Sequence, residues 1–92
     1  MKNKKLEVIR KKLDILDNKF LLLIKKRTNL VNQVLLTKEF KNQIVDKKRI
    51  KKILSNIKIK SQKKKIDIKI TREIWIAMIR AYIKYEYRNF KK

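Results

Sequence analysis

Between Leu6 and Val34 apolar residues return in alternating steps of three and four: Leu6, Ile9, Leu13, Leu16, Phe20, Leu23, Leu30 and Val34, with one gap at Arg27. This is the a/d spacing of a helix that presents a continuous apolar seam, and it predicts a first helix from about Lys5 to Glu39. Residues 40–45 read as a connector. Asp46 is a fair N-cap for a second helix, whose buried stripe is Ile50, Ile53, Leu54 and Ile57. Residues 58–66 hold Lys58, Lys60, Lys63, Lys64 and Lys65 around Ser61 and Gln62, and read as a mobile, solvated loop. Asp67 or Thr71 then opens a third helix that continues to about Phe90. Its stripe is Ile74, Trp75, Met78, Ile79, Tyr82, Ile83, Glu86 and Phe90. The predicted fold class is all-α, with three helices per chain (one long, one short, one medium) in a single domain over residues 1–92. Strand has one argument, the isoleucine-rich stretch from Ile57 to Ile70.

The first helix is too long for its own globule. About 35 residues at ~1.5 Å each span roughly 50 Å, whereas a compact chain of 92 residues has a diameter of roughly 30 Å. The seam runs the whole length, so the overhang needs a cover. A second copy of the chain is the simplest one, and an intertwined helical homodimer is the expectation.

Two polar groups sit on apolar stripes. Arg27 falls at an a position of the seam; a guanidinium cannot shed its charge, so among apolar neighbours it needs an anion. Glu86 shares a face with Trp75 and Ile79, which would bury a carboxylate. Lys38 follows Arg27 by eleven residues, about three turns, so both point to nearly the same side roughly 16 Å apart. Arg10 is seventeen residues before Arg27, some ~25 Å away on one helix. It could reach the same ligand only from the antiparallel partner of a dimer. Asp46 and Arg49 share a face of helix two, as do Tyr82 and Glu86 of helix three. Several cations, one exposed acid and one neutral acid would suit a compact dicarboxylate with a hydroxyl group.

Each of these residues also has a plain structural reading. Arg27 could pair with Glu86 across the bundle, Arg10 with Asp14 or Asp17 at the surface. Asp46 is a cap whatever else it does. Lys38 could be one more solvated lysine and Tyr82 one more core aromatic. The combination is more specific than any member.

Composition narrows the chemistry further. With no cysteine there is no disulfide scaffold and no thiolate; with no histidine, the commonest metal ligand and general base are missing. No cofactor or metal is expected. The absence of Gly and Pro removes the usual punctuation of phosphate loops and tight turns. The basic opening Met1-Lys2-Asn3-Lys4-Lys5 leads into an amphipathic, charged stretch instead of an apolar signal core, and no run approaches the roughly 20 apolar residues of a membrane span. A cytoplasmic protein is the default.

The net charge of +21 would suit nucleic acid, an anionic membrane surface or small anionic metabolites. Lys, Ile and Asn are all favoured by AT-rich codons, however, so drift of solvated positions produces the same charge with no polyanionic partner. The chain has twenty-three Lys and only six Arg. Each Arg is therefore worth locating, because Lys is no substitute where a planar fork grips a carboxylate.

At this point the residues resemble the all-helical chorismate mutases over nearly the whole chain. The opening Ile9-Arg10-Lys11-Lys12-Leu13-Asp14-Ile15-Leu16-Asp17 is similar to the family's helix-one pattern of Arg followed seven residues later by Leu-Asp. Arg27, in Leu23-Ile24-Lys25-Lys26-Arg27, falls at the family's second arginine, and Lys38 at its catalytic lysine with the same spacing. Val45-Asp46-Lys47-Lys48-Arg49 matches the acid and arginine that open helix two. The segment from Ile74 to Glu86 resembles the closing helix. Three departures stand out. Ile50 sits where the family often has a Glu that contacts the substrate hydroxyl; Tyr82 sits where it often has Ser; Glu86 stands where many members have Gln. The Tyr at position 82 resembles the related isochorismate pyruvate lyases, whereas the acid at Asp46 resembles the mutases.

The resemblance implies conversion of chorismate to prephenate by a Claisen rearrangement within aromatic amino-acid biosynthesis. Such a reaction needs no nucleophile, metal or cofactor, and rests on holding the reactive conformer and stabilising the breaking ether oxygen. The implied roles are Arg10 from the partner chain and Arg27 on the carboxylates, and Lys38 on the ether oxygen and one carboxylate. Asp46 would take the ring hydroxyl, with Arg49 supporting the site and Tyr82 lining it. Glu86, protonated, would donate to the ether oxygen. The alternatives are an isochorismate pyruvate lyase of the same fold, a basic helical nucleic-acid-binding module, and a coiled-coil interaction protein with Arg27 as register device. Dispersed Lys without interleaved aromatics disfavours nucleic acid.

Overall fold

A computed structural model describes residues 2–91. Met1 and Lys92, the two ends of the domain expected over 1–92, lie outside the described residues. The described chain is all-α, without strand: α1 spans Lys2–Thr37, α2 Lys47–Lys63 and α3 Ile68–Asn89, with a 3-10 turn at Lys41–Gln43 in the connector. The isoleucine-rich stretch is helical apart from the turn at 64–67. The chain divides into two compact units, Met1–Gln33 and Val34–Lys92.

The N-terminal unit is one helix, and in it the predicted seam is uncovered. Leu6, Ile9, Leu13, Leu16, Phe20, Leu23 and Leu30 are all exposed, Leu13 at 53% and Leu23 at 63%. Arg27, Thr28, Val31 and Asn32 are half-buried.

The C-terminal unit is built on the α2–α3 hairpin, whose helices pack against each other. Leu35 and Ile44 are its buried apolar residues among those described, at 8% and 3% exposure. The stripe Ile50, Ile53, Leu54 and Ile57 of α2 is half-buried as the periodicity predicts, and so are Trp75, Met78, Ile79, Tyr82 and Ile83 of α3.

Each helix end has a local cause. Thr37 closes α1 by turning its hydroxyl back onto the carbonyl of Val34 at 2.6 Å. The Gln43 side-chain oxygen then accepts from the amides of Glu39 and Phe40 at 2.7 and 3.0 Å, which folds the connector into its short turn. Asp46 caps α2, its carboxylate accepting from the Arg49 amide at 3.0 Å. Asp67 caps α3 by accepting from the amides of Lys69 and Ile70. Asp67, not Thr71, is therefore the cap; Thr71 lies one turn inside.

The predicted loop over residues 58–66 is corrected. The α2 helix continues through Lys63. The buried face runs on one turn beyond Ile57 to Ser61, which is 4% exposed with its hydroxyl 2.8 Å from that of Thr71. Lysine is a good helix former, so a charge run alone is no stop signal. The break comes at Lys64 and Lys65. The Lys65 amide donates to Gln62 and the Ile66 amide to Ser61, at 3.2 and 2.8 Å. That 6→1 and 5→2 pair is the Schellman ending, here made with a lysine at φ 57° where glycine is usual.

Candidate active site

Lys38 is the first residue after α1, and Glu86 lies in the last two turns of α3. Their side chains meet: the Lys38 Nζ stands 3.0 Å from Glu86 Oε1, with the two side chains 16% and 9% exposed. The ammonium also donates to the carbonyl of Ile44 at 3.4 Å. Ile44 follows the 3-10 turn and is itself buried, so the connector holds that carbonyl in place. An ammonium has three N–H donors, and these contacts use two.

A hollow of about 550 Å³ opens beside Lys38, lined by Lys38, Gln43, Asp46, Lys47 and Lys48 among others. Asp46 is therefore brought to the same hollow as Lys38. One oxygen of Asp46 is engaged by the Arg49 amide. An ionised carboxylate offers about four lone-pair sites, so Asp46 retains capacity to accept from a hydroxyl. Arg49 lies in the first turn of α2 with its side chain exposed, joined to Asp46 through its backbone. Tyr82, half-buried one turn before Glu86, meets Tyr85 edge to face at 6.3 Å between ring centres.

The two remaining candidates belong to the N-terminal unit. Arg10 is exposed on α1, and Arg27 is half-buried on the same helix. The structure thus brings Lys38 to Glu86 by direct contact and to Asp46 across the hollow, all within the C-terminal unit.

Two contributors escaped the sequence reading. The clasp by Gln43 positions the connector behind Lys38. Its one sequence signal is a Gln three residues after a helix-starting position, half of a capping box. The carbonyl of Ile44 carries no side-chain signal at all.

Among the described residues no group of three or more His, Cys, Asp or Glu could hold a metal ion, and no helix is long and apolar enough to cross a membrane.

The chain belongs to the chorismate mutase type II family, whose model matches residues 9–87. Among curated proteins and among solved structures nothing matches the chain.

Proposed function

We propose that this protein is a chorismate mutase, which rearranges chorismate to prephenate within an intertwined homodimer. The observation that carries this reading is the Lys38–Glu86 contact at 3.0 Å beside Asp46, in a chain of this family.

In the rearrangement an ether C–O bond breaks as a C–C bond forms, and negative charge gathers on the ether oxygen. With substrate bound the Lys38 ammonium exchanges its contact with Glu86 for the substrate, donating to that oxygen and to one carboxylate while it keeps the Ile44 carbonyl. Glu86, in its acid form, donates from the other side. Asp46 accepts from the ring hydroxyl, with Arg49 steadying it and Tyr82 lining the wall. Arg27 and the partner's Arg10 bind the carboxylates. Donors fixed in advance need no reorganisation as charge develops, which is where such a site gains its rate. Holding the ring and side chain in the reactive conformer supplies the rest.

The dimer rests on the uncovered seam. Seven large apolar side chains from Leu6 to Leu30 are each at least 43% exposed on one helix stripe. A second α1 packed along them buries that stripe and carries Arg10 into the other copy's site. The protein is assigned to the cytoplasm.

Tyr82 favours a second reading, isochorismate pyruvate lyase. The test offers chorismate and isochorismate separately to purified protein and identifies the products. Prephenate from chorismate supports the mutase; pyruvate and salicylate from isochorismate alone support the lyase.

A further inference from the structure

A second concavity lies between α2 and the first turn of α3, and shares no residue with the hollow at Lys38. Its volume is about 620 Å³, its floor is Leu54, Ile57 and Ile68, and its rim carries Lys51 and Lys58 from α2 with Lys69 and Arg72 from α3. All of these residues belong to the C-terminal unit. On α2, Lys51, Leu54 and Lys58 recur at steps of three and four, so they share one face. The buried hydrogen bond between Ser61 and Thr71 ties the two walls together close by.

The rim holds four cations and no acid. Among the described residues no ion pair engages any of the four. All four are exposed, so their mutual repulsion acts through solvent and is modest, and an anion seated among them relieves it. The floor favours an apolar body, and the volume falls in the range of small-molecule sites. A second copy of the chain fits poorly by charge: its α1 would bring ten Lys and Arg against three Asp and Glu onto an already cationic rim.

We propose that this groove binds a small organic dianion, with two acidic groups on an apolar ring or chain. Lys51 and Lys58 hold one group, Lys69 and Arg72 the other. The proposal is independent of the roles given to Lys38 and Glu86.

The test is backbone amide NMR on the full chain titrated with phenylsuccinate, with its dimethyl ester as the uncharged counterpart. Saturable shifts at Leu54, Ser55, Ile68 and Thr71 are expected, retained in Lys38→Ala and absent with the ester. Lys69→Glu/Arg72→Glu should weaken this binding by about tenfold, the scale of a few exposed charge contacts. Lys63→Glu/Lys64→Glu makes an equal charge change outside the groove and should leave it intact. All four positions are exposed, and circular dichroism checks that each variant keeps its helix content. Shifts spread over the lysines without saturation, equal loss in both double variants, or groove amides that do not respond would each overturn the proposal.

Discussion

Lys38 and Glu86 are forty-eight residues apart in the chain, and Lys38 Nζ stands 3.0 Å from Glu86 Oε1 in the fold. The contact ties the connector after α1 to the end of α3. It also fixes an ammonium beside Asp46, where a bound anion would meet it.

Removing the lysine should therefore damage catalysis first. Lys38→Ala is expected to lower kcat by about 10²–10³, the loss seen when one preorganised oxyanion donor is deleted. Steady-state kinetics on chorismate measures this. Glu86→Ala should also destabilise the fold, by up to ~3 kcal/mol, because it strands a largely buried ammonium. Urea unfolding reads that out.

A carboxyl group donates a hydrogen bond only with its proton on, whereas an amide always carries donors. In the proposed mechanism Glu86 donates to the ether oxygen, so Glu86→Gln should keep or raise kcat on chorismate and Glu86→Ala should lower it. Steady-state kinetics measures both. A loss in Glu86→Gln as deep as that in Glu86→Ala would remove Glu86 from that role.

The Ser61–Thr71 pair is buried and side chain to side chain. Replacing one member, as in Thr71→Val, leaves a buried hydroxyl without that partner and should cost about 1–3 kcal/mol. Ser61→Ala/Thr71→Val removes both hydroxyls, and its cost should fall below the sum of the two single changes. A double-mutant cycle by chemical denaturation checks the coupling.

If Arg10 acts on the other copy's site, two crippled chains can repair each other. Arg10→Ala and Lys38→Ala should each be nearly inactive alone. In their mixed dimer one site receives an intact Arg10 and an intact Lys38, while the other receives neither. Co-refolding the two variants should restore activity; unchanged inactivity in verified mixed dimers would contradict a shared site.

Much of this was legible in the residues. The helix that carries the Leu6–Val34 pattern, the cap at Asp46 and most of the stripe of α3 follow from spacing and residue chemistry; Ile74 of that stripe is exposed instead, and spacing alone does not choose between Asp67 and Thr71 as the cap of α3. Glu86 was marked by its place on an apolar stripe, and its burial at 7% exposure agrees. The end of α2 was misread because lysine reports solvent and not secondary structure; the Schellman turn at Lys65 uses a residue with no turn signature. The plain structural reading pairs Glu86 with Arg27, whereas Lys38 stands 3.0 Å from its Oε1; contacts between residues forty-eight apart depend on how the connector folds. That in turn depends on the Gln43 side chain and the Ile44 carbonyl.

The most direct measurement is the loss of chorismate absorbance on adding purified protein dialysed against a chelator, with the product identified by mass and by its acid-catalysed conversion. The account predicts prephenate formed at an undiminished rate with no added metal or cofactor, and almost none with Lys38→Ala. Chorismate left unchanged by the folded wild-type protein, or consumed equally by Lys38→Ala, would contradict it.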